Sequence, residues 1–561
     1  MVYKPSTWTD RAMNIDFDED TYEGLPFAPS LSMAMMERLG LREMIDIESR
    51  KVDDGCYNLS VGMAAKAFVG SMTSEMGRRP IYRTNAVFDT APKDKIFGPF
   101  VKDNGLNDRI LRDRLTAISK MDLPELQWRM YQHITKDCDL HSFINHLDAT
   151  DIDLWGSKYG LWEDGGAQPK HNNHPKSKRK HLMQKEIHTI CDGNGIPVHS
   201  RVYDGNVSDI EMNRDSIEFL SSHTDIENRV LIADCKLAVG DIIERLLDVR
   251  THFITKVPTN FSEKIRDDIV RSAMLGIMDE SPEHKGRLYY DTDSDTVLGK
   301  GVNRNLRFVA FSLPGGYERS ETYIRGQGLK SFTRKMSSLG KFHCEKDARE
   351  AFDKALRSSY GAYTAEPNIY LDKRLVDKDP NGQCWRAKAK DIEVVESNVK
   401  DAAKAYSVNV LVTNLPRDRK EDIREGATAD MVIDAYLGQH HVEHTFRLIK
   451  SYLNVGRVYI HSPARQDAMI FLTSVTAMIH AVVDNILSPD LDSLPTNPYE
   501  DPETEEKHLT MKHIVDFMVN TTVLYDRERD TMRISGAPGE SEKAWSIVRE
   551  LDIEPKLLLG Y

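Results

Sequence analysis

Five polar side chains recur at helical spacing within residues 436–450, and their types suit metal and phosphate chemistry. At 3.6 residues per turn they share one helix face, about 100° from an apolar stripe. The polar face comprises Tyr436, Gln439, Glu443, Arg447 and Lys450. The apolar stripe comprises Val442, Phe446, Ile449 and Leu453. One carboxylate among cations and a phenol predicts contact with a metal ion and a phosphate, although solvated, ion-paired faces share this composition.

Two further acidic residues follow stretches with strand character. Asp148 ends a predicted strand at 143–148, and Asp234 ends an apolar run at 230–234 that is typical of a buried central strand. Taken singly, an Asp in such a place is more often a turn cap than a ligand. Together with Glu443 from a helix on the same sheet, the three would form a hard-oxygen site that suits Mg²⁺. Two such ions about 3.5–4 Å apart activate an attacking oxygen and stabilise a leaving one.

The elements that must position these acids are predicted from local patterns. The predicted strands cover 143–148, 186–191, 196–203, 230–234 and 252–257. The predicted helices cover 208–221 and 239–247. A Gly-Asn-Gly turn at 193–195 predicts a hairpin, and Ser208 with Glu211 predicts a capping box. The resulting order of three strands, a helix, a strand, a helix and a strand is that of an RNase H-like core.

Composition limits the class of protein. The chain has 561 residues and a formal net charge of −13, which excludes a uniformly basic nucleic-acid binder and predicts several domains or a large insertion. Six scattered cysteines without a C-x-x-C pair predict neither a zinc ribbon nor a disulfide framework. The first residues lack the apolar stretch of a secretory signal. The apolar run 468–487 contains Ser, Thr, His and Asp, which favours a buried helix over a membrane span.

Helical periodicity dominates the region before the first strand. Helices are predicted at 31–45, 61–76, 106–118 and 123–134. Asn107 and Asp108 are candidate caps for the third of them. Short helices of this kind form both DNA readers and small bundles, and the sequence leaves both possibilities open.

Four blocks of sequence carry a resemblance to a known family. They are His146-Leu-Asp148-Ala-Thr150, Val202-Tyr-Asp-Gly205-Asn206-Val-Ser-Asp209, Leu231-Ile-Ala-Asp234 and Tyr436-x-x-Gln439-x-x-x-Glu443-x-x-x-x-x-x-Lys450. In order and spacing they resemble bacterial and archaeal insertion-sequence transposases with a DDE triad and an RNase H-like core. More narrowly, they are similar to the group with a Tyr-x-x-Arg-x-x-x-Glu-(six residues)-Lys signature and an insertion before the last acid. The resemblance covers most of residues 30–490.

The resemblance implies a role for each matching residue. Asp148, Asp234 and Glu443 would be the catalytic residues and would hold two Mg²⁺ ions, with Mn²⁺ able to substitute. Tyr436 and Lys450 would contact phosphates near the reacting strand end.

The signature is not matched at every position. Gln439 replaces its usual arginine, which leaves a neutral hydrogen bond in place of a charged phosphate contact. Arg447, on the same face, is a further candidate DNA contact.

The resemblance also implies partners, activity and location. The activity would be cutting of transposon ends and joining of the 3′-hydroxyl ends to target DNA by metal-dependent transesterification. The partners would be double-stranded DNA, as terminal inverted repeats and as target, and a second copy of the chain in a synaptic complex, with no membrane. The location would be a prokaryotic cytoplasm, with the nucleoid when bound to DNA. A hairpin intermediate on the second strand is left open.

The predicted organisation has five segments. They are a helical N-terminal, DNA-end-binding domain at 1–140, a first part of the RNase H-like catalytic core at 141–258, a β-containing insertion at 259–405, a second part of the core at 406–490 and a C-terminal tail region at 491–561. The predicted fold class is therefore α/β, with a mixed sheet flanked by helices.

A cluster of basic residues lies outside the four blocks of the resemblance. A basic stretch at 170–181 follows Asp148 in the chain and predicts a phosphate clamp, with a solvated charge run as the alternative. Its members include Lys176, Lys178, Arg179 and Lys180.

Three histidines around Glu443 lack the H-E-x-x-H order, which favours surface or DNA-facing side chains over zinc ligands. Trp155 and Trp162 are expected to pack within their loop rather than stack on an unpaired base.

Two rival functions are also compatible with the sequence. One is an RNase H-like nuclease that hydrolyses DNA without strand transfer. The other is a domesticated, non-catalytic DNA-binding regulator, which is disfavoured because all three carboxylates are present.

Overall fold

The computed structural model describes most of the chain. It covers residues 22–52, 58–74, 81–101, 105–154, 183–223, 226–258, 261, 263–298, 301–376, 382–418, 420–438, 445–446, 457–458, 460, 462–487 and 509–560. The chain divides into two compact units. Unit 1 contains the described residues up to Ser222 and from Gly438 onwards, and unit 2 contains those from His223 to Leu437.

Helices and strands both occur throughout this part of the chain. The strands are β1 (Tyr22–Pro26), β2 (Ile144–Leu154), β3 (Met183–Asp192), β4 (Pro197–Asp204), β5 (Val230–Ala233), β6 (His252–Lys256), β7 (Asp279–Glu280), β8 (Leu288–Leu298), β9 (Val302–Ser312), β10 (Tyr363–Leu371), β11 (Trp385–Val394), β12 (Asn409–Thr413), β13 (Arg457–Val458), β14 (Thr522–Asp526) and β15 (Thr531–Ser535). The helices are α1 (Phe27–Arg38), α2 (Leu41–Ser49), α3 (Val61–Met72), α4 (Lys93–Phe97), α5 (Asp108–Ile118), α6 (Leu123–Asp137), α7 (Asp209–His223), α8 (Gly240–Asp248), α9 (Glu263–Met274), α10 (Gly316–Tyr323), α11 (Leu329–Met336), α12 (Glu345–Arg357), α13 (Lys373–Val376), α14 (Val399–Ser407), α15 (Ala429–Leu437), α16 (Pro463–Ile486), α17 (Met511–Phe517) and α18 (Glu540–Glu550). Mixed sheets flanked by helices confirm the predicted α/β class, and the predicted order from β2 to β6 is confirmed.

The N-terminal helices follow the predicted periodicity with two corrections. The single helix predicted at 31–45 is two helices, because Gly40 adopts a left-handed φ of 64° and ends the first of them. Asn107 caps α5, since its side-chain oxygen accepts a hydrogen bond from the Ile110 N–H at 3.0 Å. Asp108 is the first helical residue rather than the cap.

Asp148 lies within β2, which pairs with β3 in unit 1. β2, β3 and β4 form an antiparallel meander, and β13 pairs with β2 in parallel. The strand predicted to end at Asp148 continues to Leu154, so that prediction of its end was wrong. Every residue from Ala149 to Leu154 is buried. The acidic residues in this stretch interrupt the apolar pattern from which a buried strand is predicted. One of them, Asp153, accepts a hydrogen bond from Gln184 at 3.2 Å.

The longest described helix, α16, lies at the centre of unit 1. It has the length and apolar composition to cross a membrane, but 78% of its most apolar window is buried inside the protein. It packs against α1, α3, α5, α6 and β4. The predicted buried helix is therefore confirmed.

The strands β14 and β15, within residues 509–560, form a second sheet in unit 1 with the N-terminal strand β1. β14 lies between β1 and β15, and both pairings are antiparallel. Arg527, after β14, binds the carboxylates of Glu23 and Asp94. Ser30 on α1 donates a hydrogen bond to the carbonyl of Leu558. Local sequence patterns did not reveal this sheet because β1 and β14 lie almost the whole chain apart.

Unit 2 contains a mixed sheet and a smaller layer, which is made of helices and the antiparallel strand pair β10–β11. Its strand order is β5-β6-β12-β9-β8-β7, with β5 and β6 parallel and the other neighbours antiparallel. β8 and β9 therefore continue the sheet that contains β5. Residues 324–406 have a hydrophobic core of their own, which includes Phe332, Phe352, Tyr363 and Val399. The predicted domain boundaries remain predictions.

Asp484 on α16 predicts a pH-dependent stability. Burial raises its pKa to about 7, although its Oδ1 accepts a hydrogen bond from the Met511 N–H at 2.5 Å. The protonated carboxyl stabilises the fold fully below about pH 4, the unfolded pKa, and this contribution is lost as the pH rises to about 7. The loss amounts to roughly 4 kcal/mol at most.

Asp484→Asn keeps an acceptor for Met511 but cannot ionise. The free energy of unfolding of the unaltered protein, measured by urea titration, should fall between pH 5 and pH 8 more steeply than that of this variant. Parallel curves for the two proteins would contradict the assignment.

Candidate active site

Asp148 lies in the interior of β2, where the backbone fixes its carboxylate. Its Oδ1 accepts a hydrogen bond from the Ala149 N–H at 2.8 Å, and the residue is half-buried. In the sheet, Asp148 pairs with Thr189 on β3, and His146 pairs with Cys191. Because side chains alternate across a strand, Asp148 and Cys191 lie on one face of this pair.

The pKa of the Cys191 thiol depends on the residues that lie around this face. Burial raises the pKa of Cys191 far above its ordinary value, and a hydrogen bond with Thr445 opposes the rise. The nearby carboxylates of Asp192 and Asp148 raise the pKa of Cys191 further. The thiol is therefore neutral, and it interacts with both Thr445 and Asp148.

Thr445 and Phe446 anchor the segment that contains the third predicted acid. Both have helical backbone and are buried, and Thr445 Oγ1 donates to the carbonyl of Gly195 at 3.3 Å. Gly195 lies in the turn between β3 and β4, with a positive φ of 75°. The chain two residues beyond Glu443 therefore packs on the hairpin whose first strand pairs with β2 at Asp148. Burial of Phe446 agrees with the predicted apolar stripe.

Asp234 directly follows β5 in unit 2. Its Oδ1 accepts a hydrogen bond from the Lys236 N–H at 2.8 Å. Its main-chain carbonyl accepts a hydrogen bond from Thr255 Oγ1 on β6 at 2.6 Å. Burial, and next the Asp234 carboxylate, raise the pKa of the Cys235 thiol. Asp234 is half-buried, and its carboxylate is held at the carboxyl end of β5.

Tyr436 lies in the last turn of α15. This helix begins after Thr428, whose Oγ1 accepts a hydrogen bond from the Met431 N–H at 3.2 Å. Val432 and Ile433 are buried, and the helix packs against β5, β6, β8 and β9. Tyr436 is half-buried on a helix that contacts the strand leading to Asp234.

Most of the other predicted site residues lie outside the described part of the chain. This holds for Gln439, Glu443, Arg447, Lys450, Lys176, Lys178, Arg179 and Lys180. It also holds for the histidines next to Glu443 and for Trp155 and Trp162. Their roles remain predictions.

The described carboxylates suit a hard divalent cation. Asp148 and Asp234 are half-buried, and each has one oxygen fixed by a backbone N–H, so little side-chain freedom is lost when a ligand binds. Oxygen donors of this kind match Mg²⁺. Among the residues whose placement is described, three or more potential metal ligands do not cluster. The predicted site requires Glu443, which lies outside that set.

A basic sheet face in unit 2 was missed by the sequence analysis. Arg386, Lys388 and Lys390 alternate along β11, and Ala387 between them faces the hydrophobic core. On the neighbouring strand β10, Tyr370 pairs with Arg386, and the Lys388 ammonium lies 5.7 Å from its ring centre. The Arg-Ala-Lys-Ala-Lys alternation is the signal that could have revealed this surface, which we call the β11 face.

A family model described as "Transposase DDE domain" matches residues 144–479, which is more than half of the chain. The matched range includes Asp148, Asp234 and the whole stretch 436–450. Comparison with curated proteins gave no match.

The surroundings of Cys191 predict its reactivity. Because the thiol is buried and its pKa is raised, we expect iodoacetamide to modify it at least about 100-fold more slowly than the exposed Cys344 in the native protein. Peptide mass spectrometry after timed quenching measures both rates. Urea should bring the two rates together, whereas equal rates in the native protein would contradict the packing of Thr445 over Cys191.

Proposed function

Since the chain belongs to the DDE transposase family, we propose that it is a DNA transposase of an insertion sequence. It cuts the ends of its element and joins the 3′-hydroxyl ends to target DNA. The family match over residues 144–479 carries this proposal, because it contains all three acids identified from spacing. The narrower group, with the Tyr-Arg-Glu-Lys signature, is part of the proposal and rests on the stretch 436–450.

The proposed active site consists of Asp148, Asp234 and Glu443. These carboxylates would hold two Mg²⁺ ions, which lower the pKa of a bound water and stabilise charge on the leaving oxygen. The backbone N–H groups that bind Asp148 and Asp234 keep both carboxylates oriented before DNA arrives. Preorganisation of this kind lowers the cost of reaching the transition state.

The chemistry is two successive in-line displacements at phosphorus. In the first, a water oxygen bonds to phosphorus, the bond to the 3′ oxygen at the transposon end breaks, and that oxygen leaves as a hydroxyl. In the second, the oxygen of this 3′-hydroxyl bonds to the phosphorus of a target phosphodiester, the bond from that phosphorus to the target strand's 3′ oxygen breaks, and that oxygen leaves as a hydroxyl. Each step forms one P–O bond and breaks one: the first leaves a 5′-phosphate on the flanking DNA and the second conserves a phosphodiester, so no covalent protein intermediate is required.

Phosphate contacts would position the reacting strand. Tyr436 would donate its phenolic hydrogen to a phosphate oxygen, and Lys450 would supply a positive charge. Gln439 would donate a neutral hydrogen bond, and Arg447 is a further cation on the same predicted helix face. The basic residues at 176–180 would clamp the backbone near Asp148.

The partners follow from the reaction. The DNA substrates are the terminal inverted repeats and a target duplex, and two copies of the chain would pair two ends in a synaptic complex. With a net charge of −13, DNA contacts must be concentrated on local basic surfaces. We place the protein in a prokaryotic cytoplasm.

Removal of any proposed metal ligand should abolish the chemistry. We expect Asp148→Asn, Asp234→Asn and Glu443→Gln each to slow Mg²⁺-dependent cleavage of end-containing DNA by at least about 100-fold. DNA binding, measured by gel shift, should persist. Asp241→Asn, which alters an exposed acid in the first turn of α8, is the matched control and should cleave normally.

The same assay separates the rival functions. Cleavage without joining of the 3′ ends to a second duplex would indicate a nuclease. Binding without cleavage by the unaltered protein, in Mg²⁺ and in Mn²⁺, would indicate a non-catalytic regulator. A triad variant that cleaves at the normal rate would remove that residue from the mechanism.

The β11 face is a candidate backbone contact in unit 2. Lys388→Gln with Lys390→Gln should weaken DNA binding and lower the slope of log affinity against log salt by about 1 per lysine. Lys346→Gln with Lys400→Gln removes two exposed lysines from the helices α12 and α14, and should leave the slope unchanged. Equal slopes for both double variants would exclude the β11 face from the DNA contact.

A further inference from the structure

A buried arginine in unit 2 binds two carboxylates on α15, the helix that contains Tyr436. Arg287 lies just before β8, and only 7% of its side chain is exposed. Its Nη1 lies 3.0 Å from Asp430 Oδ1, and its Nη2 lies 2.7 Å from Asp434 Oδ1. Asp430 and Asp434 are one turn apart on α15. The guanidinium therefore bridges two successive turns of this helix.

The second oxygen of each carboxylate is also bound. Ser281 Oγ donates to Asp430 Oδ2 at 2.7 Å, and His284 Nε2 forms a hydrogen bond with Asp434 Oδ2 at 3.0 Å. Ser281 Oγ accepts from the His284 N–H at 2.9 Å, and the Ser281 N–H donates to the Arg287 carbonyl at 2.8 Å. Residues 281–287 thus form a closed turn that presents three side chains to α15. We call this turn and its two carboxylates the Arg287 clamp.

The chain that enters α15 is fixed by a second buried guanidinium. Arg307 on β9 is 4% exposed and forms an ion pair with Asp291 at 2.7 Å. Its Nη1 also donates to the carbonyl of Ala427 at 2.8 Å, two residues before α15 begins. The helix is consequently held at its entry by Arg307 and along its length by the Arg287 clamp.

The geometry of the Arg287 clamp determines the position of α15 as well as stabilising it. Apolar packing through Val432 and Ile433 buries one side of α15, but such packing tolerates small shifts and rotations. A planar guanidinium that binds two carboxylates has a narrow angular range, and a slip of one residue would rotate the helix by about 100°. The clamp therefore fixes the axial and rotational position of α15 on the sheet.

We propose that Arg287 is a positioning residue for the active site, acting through Asp430 and Asp434 on α15. This inference rests on the proposed function. α15 packs on β5, which ends at Asp234, and Tyr436 follows Asp434 by two residues. A displaced α15 would move Tyr436, the proposed phosphate contact, and would disturb the packing of the helix on the strand that ends at Asp234, while the bulk of unit 2 stays folded.

The test compares graded variants of the full chain. Arg287→Lys keeps a positive charge but loses the planar fork, and Asp434→Asn removes one ion pair at a position that is 43% exposed. We expect kcat for end cleavage to fall about 10- to 100-fold in Arg287→Lys and less in Asp434→Asn. The KM for DNA should change less than threefold, and the Mg²⁺ concentration for half-maximal cleavage should rise in both variants.

A stability control separates positioning from general weakening. Val399→Ala creates a cavity in the core at 324–406, within the same unit but away from the clamp. At a temperature where circular dichroism shows all variants folded, this control should keep the normal kcat and Mg²⁺ dependence. A normal kcat in folded Arg287→Lys, or the same kcat loss in Val399→Ala, would overturn the clamp proposal alone. Absence of metal-dependent cleavage by the unaltered protein would overturn the proposed function and the clamp with it.

Discussion

Buried charge must be paired, and this requirement organises the interior of both units. An isolated ion in a protein core is far less stable than in water, so a fold that buries one must supply a partner of opposite sign. In unit 1, the fully buried Lys66 donates to Glu37 at 2.8 Å. In unit 2, Arg307 binds Asp291, and Arg287 binds two carboxylates of one helix. These pairs add directional constraints that apolar packing alone lacks.

The orientation of side chains matters most in an active site, where a small displacement of a reacting group slows the reaction. A phosphoryl transfer site gains its rate from carboxylates and phosphate contacts that are in place before the substrate binds. Asp148 and Asp234 each have an oxygen held by a backbone N–H, so their orientation follows from the strand. Glu443 belongs to a segment whose flanks are fixed separately, upstream by the ion pairs of α15 and downstream by Thr445 on the β3–β4 hairpin.

Local patterns predicted the elements of this fold better than its long-range contacts. The order from β2 to β6, the cap at Asn107 and the buried helix α16 all follow from periodicity and capping chemistry, which act over a few residues. The extent of β2 was missed because buried acids interrupt its apolar pattern. Arg287 and Asp430 are 143 positions apart in the sequence, so no local sequence pattern predicts their ion pair. Spacing and resemblance identified Asp148, Asp234 and Glu443 as candidates, but not the side chains that hold their supporting elements.

Unit 1 is discontinuous in the chain, and this has a consequence for biogenesis. The strand β1 has its hydrogen-bonding partner in β14, and the core helix α16 is also encoded after the whole of unit 2. During synthesis unit 2 can complete its contacts as one contiguous stretch, whereas the N-terminal helices must wait with apolar surface uncovered. A ribosome-bound or prematurely terminated chain would thus hold a finished unit 2 beside an unfinished unit 1. Such a product would be a natural substrate for chaperones and proteases.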